Sequence, residues 1–95
     1  MYILLTYDVS KEDSGEKRLR KVAKLCEKYG MRVQYSVFEC EITPEKEKIL
    51  IDSLLKIINE SKDTIRIYYL GNNYKTKIKI LGGDIPLTMN DTMIF

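Results

Sequence analysis

The 95-residue chain contains no histidine. It therefore has no imidazole for a serine or cysteine triad, for a zinc site with histidine ligands, or for the general base that is typical of metal-free ribonucleases. It has two cysteines, Cys26 and Cys40, which do not form a CxxC pair. This pattern favours two small buried hydrophobic residues over a disulfide or a metal site.

Long apolar runs are also missing. No stretch approaches the roughly 20 apolar residues that a membrane-spanning helix needs. The apolar run over residues 3–5 is soon stopped by Asp8, with no basic segment before it and no small-residue cleavage site after it, which argues against a signal peptide. We expect no association with a membrane and a cytoplasmic location.

The composition indicates one folded domain. The chain is 44% hydrophobic and 32% charged, with two prolines and five glycines, which argues against disorder. A chain of this length buries only about 60 to 65% of its unfolded surface, so a dimer would add to a thin core. We expect one domain over residues 1–95. Its core should span about residues 1–70, followed by a C-terminal strand and dimerisation tail over about residues 75–95.

The charge is concentrated in one segment. The whole chain has a formal net charge of +2, whereas residues 16–32 alone carry +5 from seven basic and two acidic side chains. The basic residues are Lys17, Arg18, Arg20, Lys21, Lys24, Lys28 and Arg32. A basic stripe on one helix is a candidate contact for a phosphate backbone, although charge alone favours a solvated helix face.

The first part of the chain predicts a strand and a helix. Residues 2–9 are apolar on both strand phases before Asp8, which is typical of a central strand. A helix should follow and run to about Tyr29, with Asp13 and Glu16 as a capping box. Gly30 suits a left-handed position just past its end.

The middle of the chain predicts a ribbon and a second helix. Residues 31–42 are rich in β-branched and aromatic side chains, and predict two strands or one bent ribbon that breaks near Ser36. Thr43 and Pro44 indicate a helix start, and this helix should run to about Asn59.

Two further strands complete the pattern. Residues 63–70 predict a strand that is apolar on both phases except for Thr64 and Arg66, and residues 75–81 predict an edge strand protected by lysines. The order βαββαβ matches an α+β ferredoxin-like fold, an antiparallel sheet with both helices on one face. Because the other face would be bare, we predict a symmetric homodimer in which the apolar tail, residues 85–95, joins the partner's sheet.

Asp8, at the end of the first strand, is the best candidate metal ligand. Without histidine, hydrolysis of a phosphodiester needs a carboxylate that holds a hard cation such as Mg²⁺. One aspartate per chain is a poor magnesium site, but a two-fold axis beside the strand end would bring two Asp8 side chains to one ion. The alternative, which the residues alone favour, is that Asp8 caps the following turn.

Three residues of the ribbon have two interpretations each. Arg32 would neutralise a phosphate beside Asp8 or pair with Glu39 or Glu41. Ser36 would hydrogen-bond a phosphate or occupy a bulge, and the bulge is favoured. Phe38 would stack on a base or belong to the core, and the core is favoured.

Several segments, taken in order, resemble the CRISPR-associated protein 2 family. They are TYDVS, KVAKLCEKYG, RVQYSVFECEIT, DTIRIYYL and ILGG before the apolar tail. The resemblance implies a ferredoxin-like homodimer in which Asp8 of each protomer binds Mg²⁺ at the dimer cleft, and so reverses the preference for a turn cap. It also implies nucleic-acid contacts at Arg18, Arg20, Lys21, Arg32, Ser36 and Phe38.

The resemblance implies two functions, which are not exclusive. The first is a Mg²⁺-dependent endonuclease acting on single-stranded RNA or double-stranded DNA. The second is a non-catalytic scaffold that bridges dimers of the CRISPR integrase and holds the duplex to be inserted as a new spacer. A messenger-RNA interferase of the toxin type is a less favoured third. Glu12 and Asp13 follow the strand end, where some relatives are more basic, and would weaken the approach of nucleic acid to Asp8.

Overall fold

The computed structural model describes residues 1–73 and 76–82. Within these ranges the elements are β1 (Tyr2–Asp8), α1 (Gly15–Glu27), β2 (Met31–Gln34), β3 (Val37–Glu41), α2 (Pro44–Ile57) and β4 (Thr64–Gly71). The strands form an antiparallel sheet in the order β2-β3-β1-β4. The predicted ferredoxin-like α+β fold is therefore confirmed.

β1 lies inside the sheet and divides its side chains between two faces, because successive residues of a strand point in opposite directions. Ile3, Leu5 and Tyr7 belong to the buried core. The other buried members of this core are Val22, Ala23, Cys26, Phe38, Cys40, Ile42, Leu50 and Leu54. Since these include residues of both helices, α1 and α2 cover one face of the sheet. Thr6 and Asp8 point to the opposite, helix-free face.

The start of α1 differs from the predicted capping box. Ser14 occupies the N-cap position, and its side chain makes no capping hydrogen bond. Asp13 and Ser14 have positive φ angles of 50° and 66°, whereas a capping residue needs an extended backbone. The loop is also tight here, since a Cβ on Gly15 would lie 1.7 Å from the carbonyl oxygen of Ser10.

Gly30 has a different role from the predicted one. Its backbone is not left-handed, so the prediction of a left-handed helix end is wrong. The position needs glycine because a Cβ would lie 2.4 Å from both the Sγ of Cys40 and the carbonyl oxygen of Glu39. The turn between α1 and β2 therefore packs directly against β3.

The ribbon and the second helix follow the sequence predictions. The ribbon breaks at Ser36, but the irregular register lies within β2, between Arg32 and Gln34, rather than at Ser36. The predicted cap of α2 is confirmed, because the Thr43 side chain accepts a hydrogen bond of 3.2 Å from the backbone N–H of Lys46.

The segment after β4 does not form the predicted edge strand. Residues 76–82 contain no strand. Ile78 and Ile80 instead pack against Tyr2 of β1. Because the isoleucines are packed against β1 and the lysines are exposed, lysine and isoleucine alternate here without strand pairing.

The predicted C-terminal tail, residues 85–95, and residue 75 lie outside the described residues. Neither helix in the described ranges has the length and hydropathy that a membrane crossing requires. Cys26 and Cys40 are free and buried, as predicted. Burial raises the pKa of the Cys26 thiol to about 12 and that of Cys40 to about 11.

Candidate functional site

Asp8 is exposed on the helix-free face, because the preceding residue, Tyr7, points into the core. Among the described residues, none forms a hydrogen bond or an ion pair with its carboxylate. The backbone N–H of Ser10, in the following turn, donates to Oδ1 of Asp63 at 3.0 Å. The turn is therefore capped by Asp63, and the Asp8 carboxylate is left available to a ligand.

A depression of about 380 Å³ lies beside Asp8. Asp8 shares its lining with Thr6, Tyr7, Ser36, Thr64, Arg66 and Tyr68. The lining therefore combines a carboxylate, several hydroxyl groups and one guanidinium group. Such a set can receive both a hard cation and a phosphate group.

Arg66 is a site residue that the sequence analysis missed. Thr64 pairs with Asp8, and Arg66 pairs with Thr6, so β4 presents Arg66 on the same face as Asp8. A hydrogen bond with the side chain of Tyr68 raises the pKa of Arg66. The signal in the sequence is one charged residue within an apolar strand, and only the register shows which residues it faces.

The described residues of one chain supply too few ligands for a tight magnesium site. Within residues 1–73 and 76–82, no group of three or more His, Cys, Asp and Glu side chains could hold a metal ion. The carboxylate of Asp8 and the neighbouring hydroxyl groups are the oxygen ligands that Mg²⁺ prefers, and Mg²⁺ often binds through one or two carboxylates plus phosphate and water. The residues therefore fit weak Mg²⁺ binding, which a second Asp8 would strengthen.

Arg18 was predicted to contact nucleic acid, but it lies in a buried ion pair. Its Nε is 2.8 Å from Oδ2 of Asp63, and the two side chains are 12% and 0% exposed. The guanidinium group also donates to the backbone carbonyls of Ser10 and Glu12. Its donors are thus used within the protein, and the pair holds the loop that follows Asp8.

Asp63 is a second residue that the sequence analysis missed, in this case a structural one. Besides Arg18, it accepts hydrogen bonds from the backbone N–H groups of Ser10 and Asn59, at 3.0 and 2.8 Å. The Arg18 guanidinium, followed by these two N–H groups, holds the pKa of Asp63 below its usual range. In the sequence, an aspartate in a polar stretch before a strand resembles an ordinary loop residue.

The acidic residues after the strand end have a basic partner. The ammonium group of Lys62 forms ion pairs with the carboxylates of Glu12 and Asp13, the first at 2.8 Å. The hydrogen bond from Lys62 lowers the pKa of Asp13. The electrostatic obstacle that Glu12 and Asp13 would present to nucleic acid is therefore smaller than the sequence suggests.

The outer face of α1 carries a row of exposed basic side chains, here called the α1 stripe. Its members are Lys17, Arg20, Lys21 and Lys24, together with Lys28 at the C-cap position. At 3.6 residues per turn these positions span an arc of about 100°, opposite the buried Val22 and Cys26. Across the described residues none of the five has an ion-pair partner. Arg20 and Lys21, both predicted contacts, are thus available to phosphate groups.

The prediction that Arg32 lies next to Asp8 is wrong. It pairs in register with Phe38, a core residue, so it points to the helix-bearing face. Its guanidinium carbon lies 5.2 Å from the centre of the Phe38 ring, and it donates to the Tyr7 hydroxyl at 3.3 Å. The pleat of the sheet separates Arg32 from Asp8, and each faces a different surface.

The alternative pairing of Arg32 with Glu39 or Glu41 is also not observed within the described ranges. Glu39 is opposite Met31 in register and is buried. Burial raises the pKa of Glu39, and its Oε2 makes no hydrogen bond to the part of the chain that is described.

The predicted nucleic-acid contacts at Phe38 and Ser36 have different outcomes. Phe38 is 0% exposed and stacks on Tyr7 with the ring centres 6.1 Å apart, so it presents no surface to a base. The resemblance placed it at a nucleic-acid contact, and its burial assigns it to the core instead. Ser36 is half-buried and lines the depression beside Asp8, so its hydroxyl remains a candidate contact.

These features define a ferredoxin-like protein with an exposed carboxylate at the end of an inner strand and a basic helix on the other side of the sheet. The family model described as CRISPR-associated protein Cas2 matches residues 1–78. The chain belongs to the Cas2 family of CRISPR-associated proteins, which confirms the resemblance.

Individual proteins agree with this assignment. The chain is 49% identical to the CRISPR-associated endonuclease Cas2 of Halalkalibacterium halodurans over 100% of both chains. It is 48% identical to the CRISPR-associated endoribonuclease Cas2 of Nitratidesulfovibrio vulgaris, over 86% of this chain and 81% of that protein. The crystal structure of Streptococcus pyogenes Cas2 at pH 6.5 aligns with a TM-score of 0.76 and 51% identity, covering 86% of this chain and 100% of that one.

Proposed function

We propose that this protein is an endonuclease that hydrolyses phosphodiester bonds as a homodimer, with the Asp8 carboxylates of both protomers holding Mg²⁺. The observation that carries the proposal is the exposed carboxylate of Asp8, which has no partner among the described residues, in a depression lined by hydroxyl groups and Arg66. The names of two relatives, an endonuclease and an endoribonuclease, support this class of reaction.

Each group at the depression has a role that suits its chemistry. Asp8, with the partner's Asp8, would hold the cation. When bound, Mg²⁺ supplies a Lewis acid that polarises a phosphate oxygen and makes bound water more acidic. The guanidinium of Arg66 would bind non-bridging phosphate oxygens, and the Ser36 hydroxyl would donate a further hydrogen bond to the phosphate.

Cleavage by an Asp8→Asn variant tests the proposal. The substrates are labelled single-stranded RNA and duplex DNA, each with Mg²⁺ and with a chelator. Asparagine keeps the shape but removes the charge, so we expect cleavage to fall by about 100-fold or more. Asp52→Asn, at an exposed position of α2, is the control and should retain wild-type activity. Chelator-sensitive cleavage that persists in Asp8→Asn would contradict the proposal.

Arg66→Gln tests the predicted phosphate contact within the same depression. We expect its cleavage rate to fall by about 10- to 100-fold, because a charge-assisted contact to phosphate is lost. Binding of nucleic acid through the α1 stripe should persist. Wild-type cleavage by Arg66→Gln would remove Arg66 from the site without affecting the role of Asp8.

A second function, DNA binding without cleavage, is favoured by the α1 stripe. Five exposed cations without ion-pair partners in the described ranges form a surface suited to the phosphates of a duplex. In this role the homodimer would bridge CRISPR integrase subunits during spacer acquisition, as part of antiviral defence. Both functions can operate in one dimer, because Asp8 and the stripe belong to different surfaces.

The salt dependence of duplex binding tests this second function. A variant with Lys17, Lys21 and Lys24 changed to Gln loses charge on α1, and one with Lys46, Lys48 and Lys56 changed to Gln loses the same charge on α2. We expect the α1 variant to reduce the slope of log K against log salt by about 0.9 for each lost phosphate contact. Equal slopes in the two variants would contradict a specific α1 contact. Spacer acquisition that survives Asp8→Asn would show that scaffolding does not need the carboxylate.

A further inference from the structure

A second concave surface lies on the helix-bearing side, between α1 and the turn that joins β2 to β3. It has a volume of about 390 Å³. The residues that give it its chemistry are Tyr7, Arg20, Lys24, Glu27, Arg32 and Tyr35. We call this surface the Tyr35 groove.

Tyr35 is unusual among the described aromatic residues because it is 78% exposed while its backbone is held in place. Its carbonyl oxygen accepts a hydrogen bond of 3.2 Å from the Tyr7 hydroxyl. The guanidinium carbon of Arg32 lies 5.8 Å from the centre of the Tyr35 ring, and Arg32 also donates to the Tyr7 hydroxyl. Exposing a large aromatic ring to water on an anchored turn gives the isolated protein no packing benefit.

The charges around the ring are predominantly positive. Arg20, Lys24 and Arg32 line the groove against one acidic residue, Glu27. Arg20 and Lys24 are also members of the α1 stripe, so the groove lies at the edge of a larger cationic surface. A polyanion that binds the stripe would therefore pass beside Tyr35.

An exposed ring beside cations suits a nucleotide whose base is not paired. The base stacks on the ring, and the adjoining phosphates contact the cations. In the middle of a duplex the faces of the bases are covered by their neighbours, so this ring would have nothing to stack on.

We infer that the Tyr35 groove binds single-stranded nucleic acid, with an unpaired base stacked on Tyr35 and phosphates on Arg20, Lys24 and Arg32. This inference rests on the proposed nuclease function and deepens it, because it adds a binding site for a single-stranded substrate. Tyr7 lines both the Tyr35 groove and the depression beside Asp8. A strand held in the groove would reach Asp8 by crossing the end of the sheet at Tyr7 and Ser36.

Binding measurements on three variants test the inference. The probes are fluorescein-labelled single-stranded RNA, single-stranded DNA of the same sequence, and a blunt DNA duplex, all in chelator so that nothing is cleaved. We expect Tyr35→Ala to bind the single strands about 5- to 100-fold more weakly and the duplex unchanged, because one stacking contact is lost. Tyr35→Phe keeps the ring and should bind as the wild type does.

Tyr69→Ala is the matched control, since Tyr69 is an exposed tyrosine on β4, outside the groove. It should leave all affinities unchanged. The slope of log K against log salt separates stacking from charge: Tyr35→Ala should retain the wild-type slope, whereas Arg20→Ala should reduce it by about 0.7 for single strands.

Two results would overturn the inference: single-strand affinity that is unchanged in Tyr35→Ala, or an equal loss for single strands and duplex. The comparison of the RNA and DNA arms shows which sugar the groove accepts. Because cleavage is not measured, failure here would leave the Asp8 proposal intact, and failure of Asp8→Asn to reduce cleavage would leave the groove intact.

Discussion

Two aspartates close to the end of β1 have opposite environments at the scale of single residues. The side chain of Asp63 is fully buried and bonded to Arg18, Ser10 and Asn59. Asp8 is exposed, and no described residue bonds to its carboxylate. Because Asp63 satisfies the loop, Asp8 is not needed to hold the turn and can serve a ligand.

Asp63→Ala should therefore destabilise the protein, by about 2 to 4 kcal/mol at pH 7, because it leaves two partly buried N–H groups and a guanidinium without their acceptor. The pKa of Asp63 is lowered in the folded protein. Its contribution to stability is complete above the ordinary carboxyl pKa, near 4, and is lost as the pH falls through the lowered folded value.

Thermal unfolding at pH 7 and at about pH 3 measures both effects. The difference between the wild type and Asp63→Ala should be large at pH 7 and smaller in acid. Asp52→Ala, at an exposed position on α2, is the control and should unfold like the wild type. A wild-type melting temperature for Asp63→Ala at pH 7 would contradict the role given to this carboxylate.

At the scale of elements, the features that were predicted correctly from the sequence are those that depend on local signals. Thr43 caps α2 as predicted, because a cap depends on residues three positions apart. The reason predicted for glycine at position 30, a left-handed helix end, is wrong, because the position has no room for a Cβ beside Cys40 and Glu39 of β3. A residue pattern along one segment cannot show how closely a neighbouring segment approaches.

Gly30→Ala tests this account of the turn between α1 and β2. The new Cβ would lie 2.4 Å from a backbone carbonyl and from a buried sulfur, so β3 or the turn must shift. We expect a loss of about 1 to 3 kcal/mol in the free energy of unfolding, measured by urea denaturation. Lys28→Ala, two residues earlier and exposed, should change it little. Equal stability of the two variants would mean that the turn accommodates a Cβ at position 30 without a steric clash.

At the scale of the whole molecule, the helix-free face determines whether the proposed site is complete. On the depression side it presents Thr6, Asp8, Arg66 and Tyr68, with half-buried Leu4 further along β1. Among the described residues, Asp8 is the one carboxylate that lines this depression, so a metal held there by two carboxylates needs a second copy placed against it.

Sedimentation velocity at micromolar concentration tests this assembly. We expect a dimer for the wild type. Tyr68→Lys puts a charge on the helix-free face and should shift the population to monomer, whereas Tyr69→Lys, at the next position of β4 and therefore on the other face, should not. A monomeric wild type would exclude the pair of Asp8 carboxylates, while leaving the α1 stripe and the Tyr35 groove unaffected.

The sequence by itself determined the elements and the kind of chemistry that is possible. Alternation and helical spacing predicted the βαββαβ order, and the absence of histidine restricted phosphodiester chemistry to a carboxylate such as Asp8. Only the tertiary structure decided which cations are available: Arg18 is bound by Asp63, Arg32 faces away from Asp8, and Arg66 faces the same side as Asp8. Pleat and register set which side chains share a surface, and both depend on pairing between segments that lie far apart in the sequence.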